Sequence, residues 1–263
     1  MLAFALLVAV LLFAWAGPLW RPRAVPGVSR ARPWLLGHRG ARGPRPENSV
    51  PAFELALRAI DGLETDVQRT RDGRLVLWHD VDCHGLPVDG ADLADLRARE
   101  PGLATLDDLI EVARAHPGTL LNLEIKSRPR PLRGWGLERD VARAVRAAGL
   151  ADRVLISSFD PLALARVRVL APRLRTGLLT APDLPGPLRS GVLARWLHVD
   201  ALHPEDRQVD ASLLAFARNH DLPLHVWTVD DPRRMQELAR AGVGAIIGDD
   251  PVALARTREG GVP

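Results

Sequence analysis

Residues 63–80 read LETDVQRTRDGRLVLWHD. Asp72-Gly73 stands between two β-prone runs, which is a strong hairpin signal. With Asp72 and Gly73 as the two loop residues, Arg71 pairs with Arg74, and Asp66 falls opposite His79. Cross-strand partners share a sheet face, and so do side chains two apart on one strand, so Glu64 joins them. This register predicts two carboxylates and an imidazole on one face.

Outward from this hairpin the chain holds eight apolar runs of strand length: Leu35–His38, Leu63–Val67, Leu120–Ile125, Val154–Ser157, Thr176–Leu179, Val199–Leu202, Leu224–Val229 and Gly244–Ile247. Segments of helical period lie between most of them. Phe53, Leu57 and Ile60 share one face of a helix opening near Asn48-Ser49. Thr105 is an N-cap for a helix over 106–115, which His116-Pro117-Gly118 stops. Asp160-Pro161 and Asp231-Pro232 each place a cap before a proline in the first turn. Repeated strand–helix alternation implies a parallel sheet. Eight such units over residues 34–256 favour an α/β fold of the (β/α)8 TIM-barrel type over an open doubly wound sheet. No G-x-G-x-x-G follows an early strand, and no Walker loop is found.

Composition narrows the chemistry. Hydrophobic residues make up 47% of the 263 and charged residues 25%, which suits a sizeable core and excludes a disordered chain. Acidic residues (32) nearly balance basic ones (35), and no long basic run occurs, so there is no nucleic-acid footprint. Cys83 is the single cysteine, which excludes an intramolecular disulfide and a multi-cysteine zinc site. Lys126 is the one lysine in a chain that otherwise uses arginine. A position that stays Lys in such a chain points to a need for a compact ammonium.

Residues 1–20, MLAFALLVAVLLFAWAGPLW, carry no charged side chain. About 20 apolar residues span a bilayer as a helix. They are expected to form a transmembrane anchor, with Trp15 and Trp20 at the interface. The alternative is a signal peptide cleaved at Ala14-Trp15-Ala16, giving a secreted protein, although the usual positive n-region is missing. Arg21, Arg23, Arg30 and Arg32 favour a cytoplasmic body for the anchored form. Residues 21–33, with Pro22, Pro26 and Pro33, read as a linker.

Catalytic groups of barrels sit at the C-terminal ends of strands. There the chain places His38-Arg39, Glu64 with Asp66, and Glu124 with Lys126. Three acids inside barrel strands are costly to bury unless they are paired or hold a cation. Three carboxylates and no thiolate suit one hard divalent cation, Ca²⁺ or Mg²⁺. Such a site suits a phosphate substrate, whose remaining oxygens Arg39 and Lys126 would neutralise. His38 and His79 could act as acid and base.

The ordered motifs His38-Arg39-Gly40, Glu47-Asn48-Ser49, Glu64-x-Asp66-Val67, Thr70-x-Asp72-Gly73, His79-Asp80 and Glu124-x-Lys126 resemble those of glycerophosphodiester phosphodiesterases. Ser158-Phe159, Trp227-Thr228-Val229 and Gly248-Asp249-Asp250-Pro251 match later strand ends of that family. The resemblance runs from about residue 35 to 252. It implies a barrel of the phospholipase-C-like phosphodiesterase type, with His38 and His79 as the acid–base pair and Glu64, Asp66 and Glu124 as metal ligands. Arg39 and Lys126 would contact the phosphate, Glu47 and Asn48 would support the substrate site, and Phe159 and Trp227 would line the alcohol pocket. The implied reaction cleaves a glycerophosphodiester to glycerol 3-phosphate and an alcohol. The chain departs from the family in a compact stretch over 81–101 and in Gly248, where the family often has Thr. Two other readings compete. One is a membrane-phospholipid-cleaving barrel of phospholipase D or C type. The other is an inactive phosphate- or lipid-binding module. The remaining histidines read as structural, with His203 set apart because it ends a strand beside Pro204.

Overall fold

Each of the eight apolar runs forms a strand in the computed structural model, which describes residues 21–25, 32–126 and 136–259. In chain order the strands are β1 (Trp34–Gly37), β2 (Gly62–Arg69), β3 (Leu75–Leu77), β4 (Asp82–Cys83), β5 (Leu86–Pro87), β6 (Leu120–Ile125), β7 (Val154–Ser158), β8 (Arg175–Thr180), β9 (Ala201–Pro204), β10 (His225–Val226) and β11 (Ala245–Gly248). The α-helices are α1 (Val50–Ala59), α2 (Leu93–Arg99), α3 (Leu106–Ala115), α4 (Gly136–Ala147), α5 (Pro161–Leu170), α6 (Gly186–Arg189), α7 (Leu193–Leu197), α8 (Ala211–Asn219), α9 (Pro232–Ala241) and α10 (Pro251–Glu259).

The parallel strands run in the order β10-β11-β1-β2-β6-β7-β8-β9. Two parallel bridges, Leu202 with Leu224 and Glu205 with Trp227, join the ends of this order into a nearly closed (β/α)8 barrel. The helix starts follow from local chemistry. Thr105 accepts from Asp108 N–H, while the Asp108 carboxylate accepts from Thr105 N–H at 2.8 Å, a reciprocal capping box on α3. Asp160 and Asp231 cap α5 and α9, each with proline in the first turn.

The hairpin register differs from expectation. β2 and β3 pair Val67 with Leu77, Gln68 with Val76 and Arg69 with Leu75. The loop therefore holds Arg71, Asp72 and Gly73, and Thr70 N–H donates to Arg74 O at 2.9 Å. Gly73 takes the left-handed conformation (φ +83°) that closes a three-residue loop, and this extra loop residue slips the register by one. Asp66 accordingly faces Trp78, whose N–H donates to Asp66 O at 3.1 Å, and not His79. His79 lies beyond the end of β3, free of the strand alternation.

Two apolar layers separate the sheet from its helices, one centred on Phe53, Leu109 and Ile156, the other on Leu178, Leu202 and Ile246. Inside the ring, Leu36, Leu120, Leu155, Ala201, Ala245 and Ile247 fill the lower half. A leucine buried this fully contributes roughly 2 kcal/mol. The upper half is polar, with Glu64, Asp66, Asn122, Glu124 and Ser157 all buried.

Residues 1–20, and residues 26–31 of the expected linker, lie outside the described residues. Among the described residues no helix is long and apolar enough to cross a membrane. Within the expected linker, residues 23–25 are docked on the barrel. Arg23 bonds the fully buried Asp200, and Val25 (2% exposed) packs into the lower core.

Candidate active site

A tight turn after β1 aims the first two residues. His38 N–H donates to Gly248 O at 2.8 Å, and Arg39 and Gly40 both take left-handed conformations (φ +48° and +83°). A Cβ at Gly40 would come within 2.9 Å of Ala52 Cβ and Phe53 Cδ1, so α1 sits against this turn and glycine is required. The turn directs Arg39 N–H onto Glu64 Oε2 at 3.0 Å.

β2 and β6 pair Glu64 with Asn122 and Asp66 with Glu124. This register brings Glu64, Asp66 and Glu124 together, each offering an oxygen within 4.8 Å of the others. Lys126 Nζ lies between two of them, 3.0 Å from Asp66 Oδ1 and 2.8 Å from Glu124 Oε1. Burial, then the charges of Asp66 and Glu124, pushes the Glu64 carboxyl well above its usual range. Burial and Asp66 push Glu124 up to about 7. Burial acts on Asp66 in the same sense, but Lys126 and the Asn48 amide outweigh it and hold Asp66 low. Lys126 is pushed up to about 12, because Glu124 and Asp66 outweigh its own burial. Three buried carboxylates face one ammonium and the Arg39 guanidinium, whose Nε is 3.5 Å from Asp66, and remain short of positive charge. Their all-oxygen donor set fits a hard divalent cation, which would return Glu64 and Glu124 to the ionised form.

Both histidines are anchored through Nδ1. His38 Nδ1 lies 2.6 Å from Asp249 Oδ1, and its Nε2 stands 4.0 Å from Glu64 Oε2. His79 Nδ1 lies 2.8 Å from Asp80 Oδ1. Burial, then the nearby Lys126 charge, holds the His79 imidazole below its usual range.

A cavity of about 210 Å³ opens over this cluster. Its polar wall is His38, Arg39, Glu64, Asp66, His79, Asn122, Glu124, Lys126 and Ser157, and Phe159, Leu179, Trp227 and Ile247 form the apolar wall. Phe159 and Trp227 meet edge to face, with centroids 5.7 Å apart, and Trp227 Nε1 donates to His203 O at 2.8 Å. Glu47 and Asn48, grouped above with the substrate residues, do not line the cavity. Each acts through a residue that does. Glu47 Oε1 accepts from Arg39 Nη1 at 2.8 Å, and Asn48 Nδ2 donates to Asp66 Oδ2 at 2.9 Å.

Asp249 has no assigned role in the sequence reading, yet it holds His38 and also accepts from Arg42 Nη1 at 3.1 Å. Pairing of the first and last strands is the signal that finds it, since Gly37 lies beside Gly248. Gly248 also has a local cause, because a Cβ there would stand 2.5 Å from Val229 O. His203 and His225 stack inside the barrel, centroids 4.6 Å apart, and neither lines the cavity. Burial lowers both, His225 to about 3.

The sequence model of the glycerophosphoryl diester phosphodiesterase family matches residues 38–253, which contain every residue of this cluster. The chain belongs to that family. It is a phosphoric diester hydrolase, and its family is metal-dependent. A glycerophosphodiester phosphodiesterase of Caldanaerobacter subterraneus is 31% identical over 246 residues, covering 86% of this chain and 98% of the relative. A crystal structure of a glycerophosphodiester phosphodiesterase from Parabacteroides distasonis superposes with a TM-score of 0.71 at 25% identity, covering 89% of this chain and 100% of the other. An Oleispira antarctica phosphodiesterase in complex with the product sn-glycerol-3-phosphate has the same fold, with a TM-score of 0.72 at 23% identity over 87% of this chain and 97% of its own.

Proposed function

We propose that this chain hydrolyses glycerophosphodiesters to glycerol 3-phosphate and an alcohol. Glu64, Asp66 and Glu124 hold one divalent cation, Mg²⁺ or Ca²⁺, and His38 and His79 serve as acid and base. The observation that carries the proposal is the placement of three buried carboxylates and two carboxylate-anchored imidazoles on the wall of one cavity. The bound cation supplies positive charge against the negative charge that builds on the phosphoryl oxygens. Arg39 and Lys126 add cationic donors for those oxygens. His79, held below its usual range, is neutral at neutral pH and can accept a proton at Nε2. His38 is oriented by Asp249 and can deliver a proton from Nε2 to the departing alcohol oxygen, the carboxylate stabilising the charged ring. Phe159 and Trp227 pack the organic part of the substrate. The glycerol 3-phosphate complex of the Oleispira antarctica relative agrees with this product.

Residues 1–20 are proposed to anchor the body to a membrane, with the barrel on the cytoplasmic side. A soluble chain shortened at Ala16 and found in the medium would replace that reading with secretion. The decisive assay is release of glycerol 3-phosphate from glycerophosphocholine and glycerophosphoethanolamine with Mg²⁺, with Ca²⁺ and with chelator. Metal-dependent release is expected, and no release with any divalent cation would sink the proposal.

A further inference from the structure

We infer that the lower rim of the barrel, beside β8 and β9, is the face turned toward the bilayer, so that the catalytic mouth opens into water. The inference rests on the reading of residues 1–20 as an anchor, and residues 21–25 fix where that segment meets the body. Arg23 donates to Asp200 Oδ1 and Oδ2 at 2.9 and 2.7 Å and to Leu174 O at 2.7 Å. Arg23 N–H adds a bond to Asp200 Oδ1 at 3.0 Å, and Arg175 Nε donates to Ala24 O at 2.7 Å. Val25 then enters the lower core beside Leu120 and Ala201. Arg175 opens β8 and Asp200 precedes β9, so these partners mark the N-terminal ends of the strands. The described chain begins at Arg21, two residues before this anchoring point. The carboxylate cluster on β2 and β6, with its cavity, stands at the opposite end of the barrel.

A second, independent observation picks out the same rim. Val169, in the last turn of α5, is 69% exposed, and Trp196 on α7 is 47% exposed. Arg168 ties the two helices together through His198 O. The nearby arginines are mostly neutralised, Arg166 by Glu138, Arg168 by Asp200 and Arg175 by Asp152, so the apolar pair and not a net basic charge marks this rim. An exposed valine and tryptophan beside the docked N-terminal segment match the chemistry of a lipid interface. A mouth directed away from that surface meets small, water-soluble phosphodiesters and not the head groups of intact lipids.

The test uses the full chain with vesicles of phosphatidylcholine and phosphatidylglycerol that carry brominated acyl chains as quenchers. Val169→Cys and Val81→Cys, the latter 62% exposed beside the mouth, each receive a fluorophore, while Cys83 is buried. The Val169 label should be quenched several-fold more than the Val81 label, and glycerophosphocholine hydrolysis should be unchanged by vesicles. Stronger quenching at Val81 would overturn the orientation. So would flotation with neither label quenched. A chain that does not float with vesicles would overturn the anchor and the orientation together. Correct quenching without glycerophosphocholine hydrolysis would count only against the proposed activity.

Discussion

Replacing Asp249 with Asn isolates what the carboxylate does for His38. Asp249 Oδ1 stands 2.6 Å from His38 Nδ1, and its other oxygen accepts from Arg42. The amide preserves size but has one accepting oxygen, which can serve either His38 Nδ1 or Arg42; Arg42 is also held by Glu47 at 2.8 Å, so folding should survive. The charge is lost. A hydrogen bond to a charged group contributes about 1.5–3 kcal/mol. At 1.36 kcal/mol per decade, kcat should fall roughly 10- to 150-fold. Should the amide present its NH₂ to Nδ1, the ring must take the other tautomer, and the loss grows toward about 10⁴-fold, as when a triad aspartate becomes asparagine. The assay is kcat for glycerol 3-phosphate release at saturating metal, with Tm measured alongside. A variant with wild-type kcat would refute the reasoning that His38 depends on an anchored imidazole.

Four further outcomes are expected. His38→Ala and His79→Ala should each lower kcat by about 10²–10⁴-fold, and calorimetric titration should find metal affinity unchanged; lost metal binding with intact chemistry would reverse the assignment. Lys126→Arg should lower kcat/KM at least about tenfold, since a planar guanidinium cannot replace an ammonium held at 3.0 and 2.8 Å between two carboxylates; wild-type kinetics would make the lone lysine incidental. Between the ordinary Glu value of 4.5 and about 7, the folded metal-free protein binds more protons through Glu124 than the unfolded chain, so stability falls as pH rises. That loss is on the order of 3 kcal/mol. Urea melts in chelator should show it, and saturating Mg²⁺ or Ca²⁺ should remove most of it; stability that rises over this window without metal would contradict the account. Arg23→Ala should destabilise by about 2–3 kcal/mol in urea denaturation, below the usual cost of breaking a buried pair, because Asp200 keeps Thr176 N–H at 2.9 Å and Arg168 at 3.6 Å.

The parts of this molecule legible in its sequence are those set by local chemistry. Thr105 with Asp108 and Asp160-Pro161 mark helix starts because a cap satisfies groups within three residues of itself. The apolar runs mark strands because each must bury its face. Glu64, Asp66 and Glu124 stand out because acids in buried strands need a reason. The hairpin register is not legible in the sequence because Asp72-Gly73 fits two loop lengths, and only Gly73's left-handed backbone selects the longer. Arg23 and Asp200 lie 177 residues apart and Asp249 lies 211 from His38, so neither pairing leaves a local trace.

The seam where β1 meets β11 has a consequence for biosynthesis. His38 leaves the ribosome 211 residues ahead of the aspartate that orients it. At ordinary synthesis rates that gap is about 10–40 s. Glu64, Asp66 and Glu124 belong to adjacent strands and emerge early, so a nascent chain can assemble its carboxylate cluster well before the proposed acid–base pair is complete. With His38 in its proposed role, hydrolytic competence arrives only with the final strand.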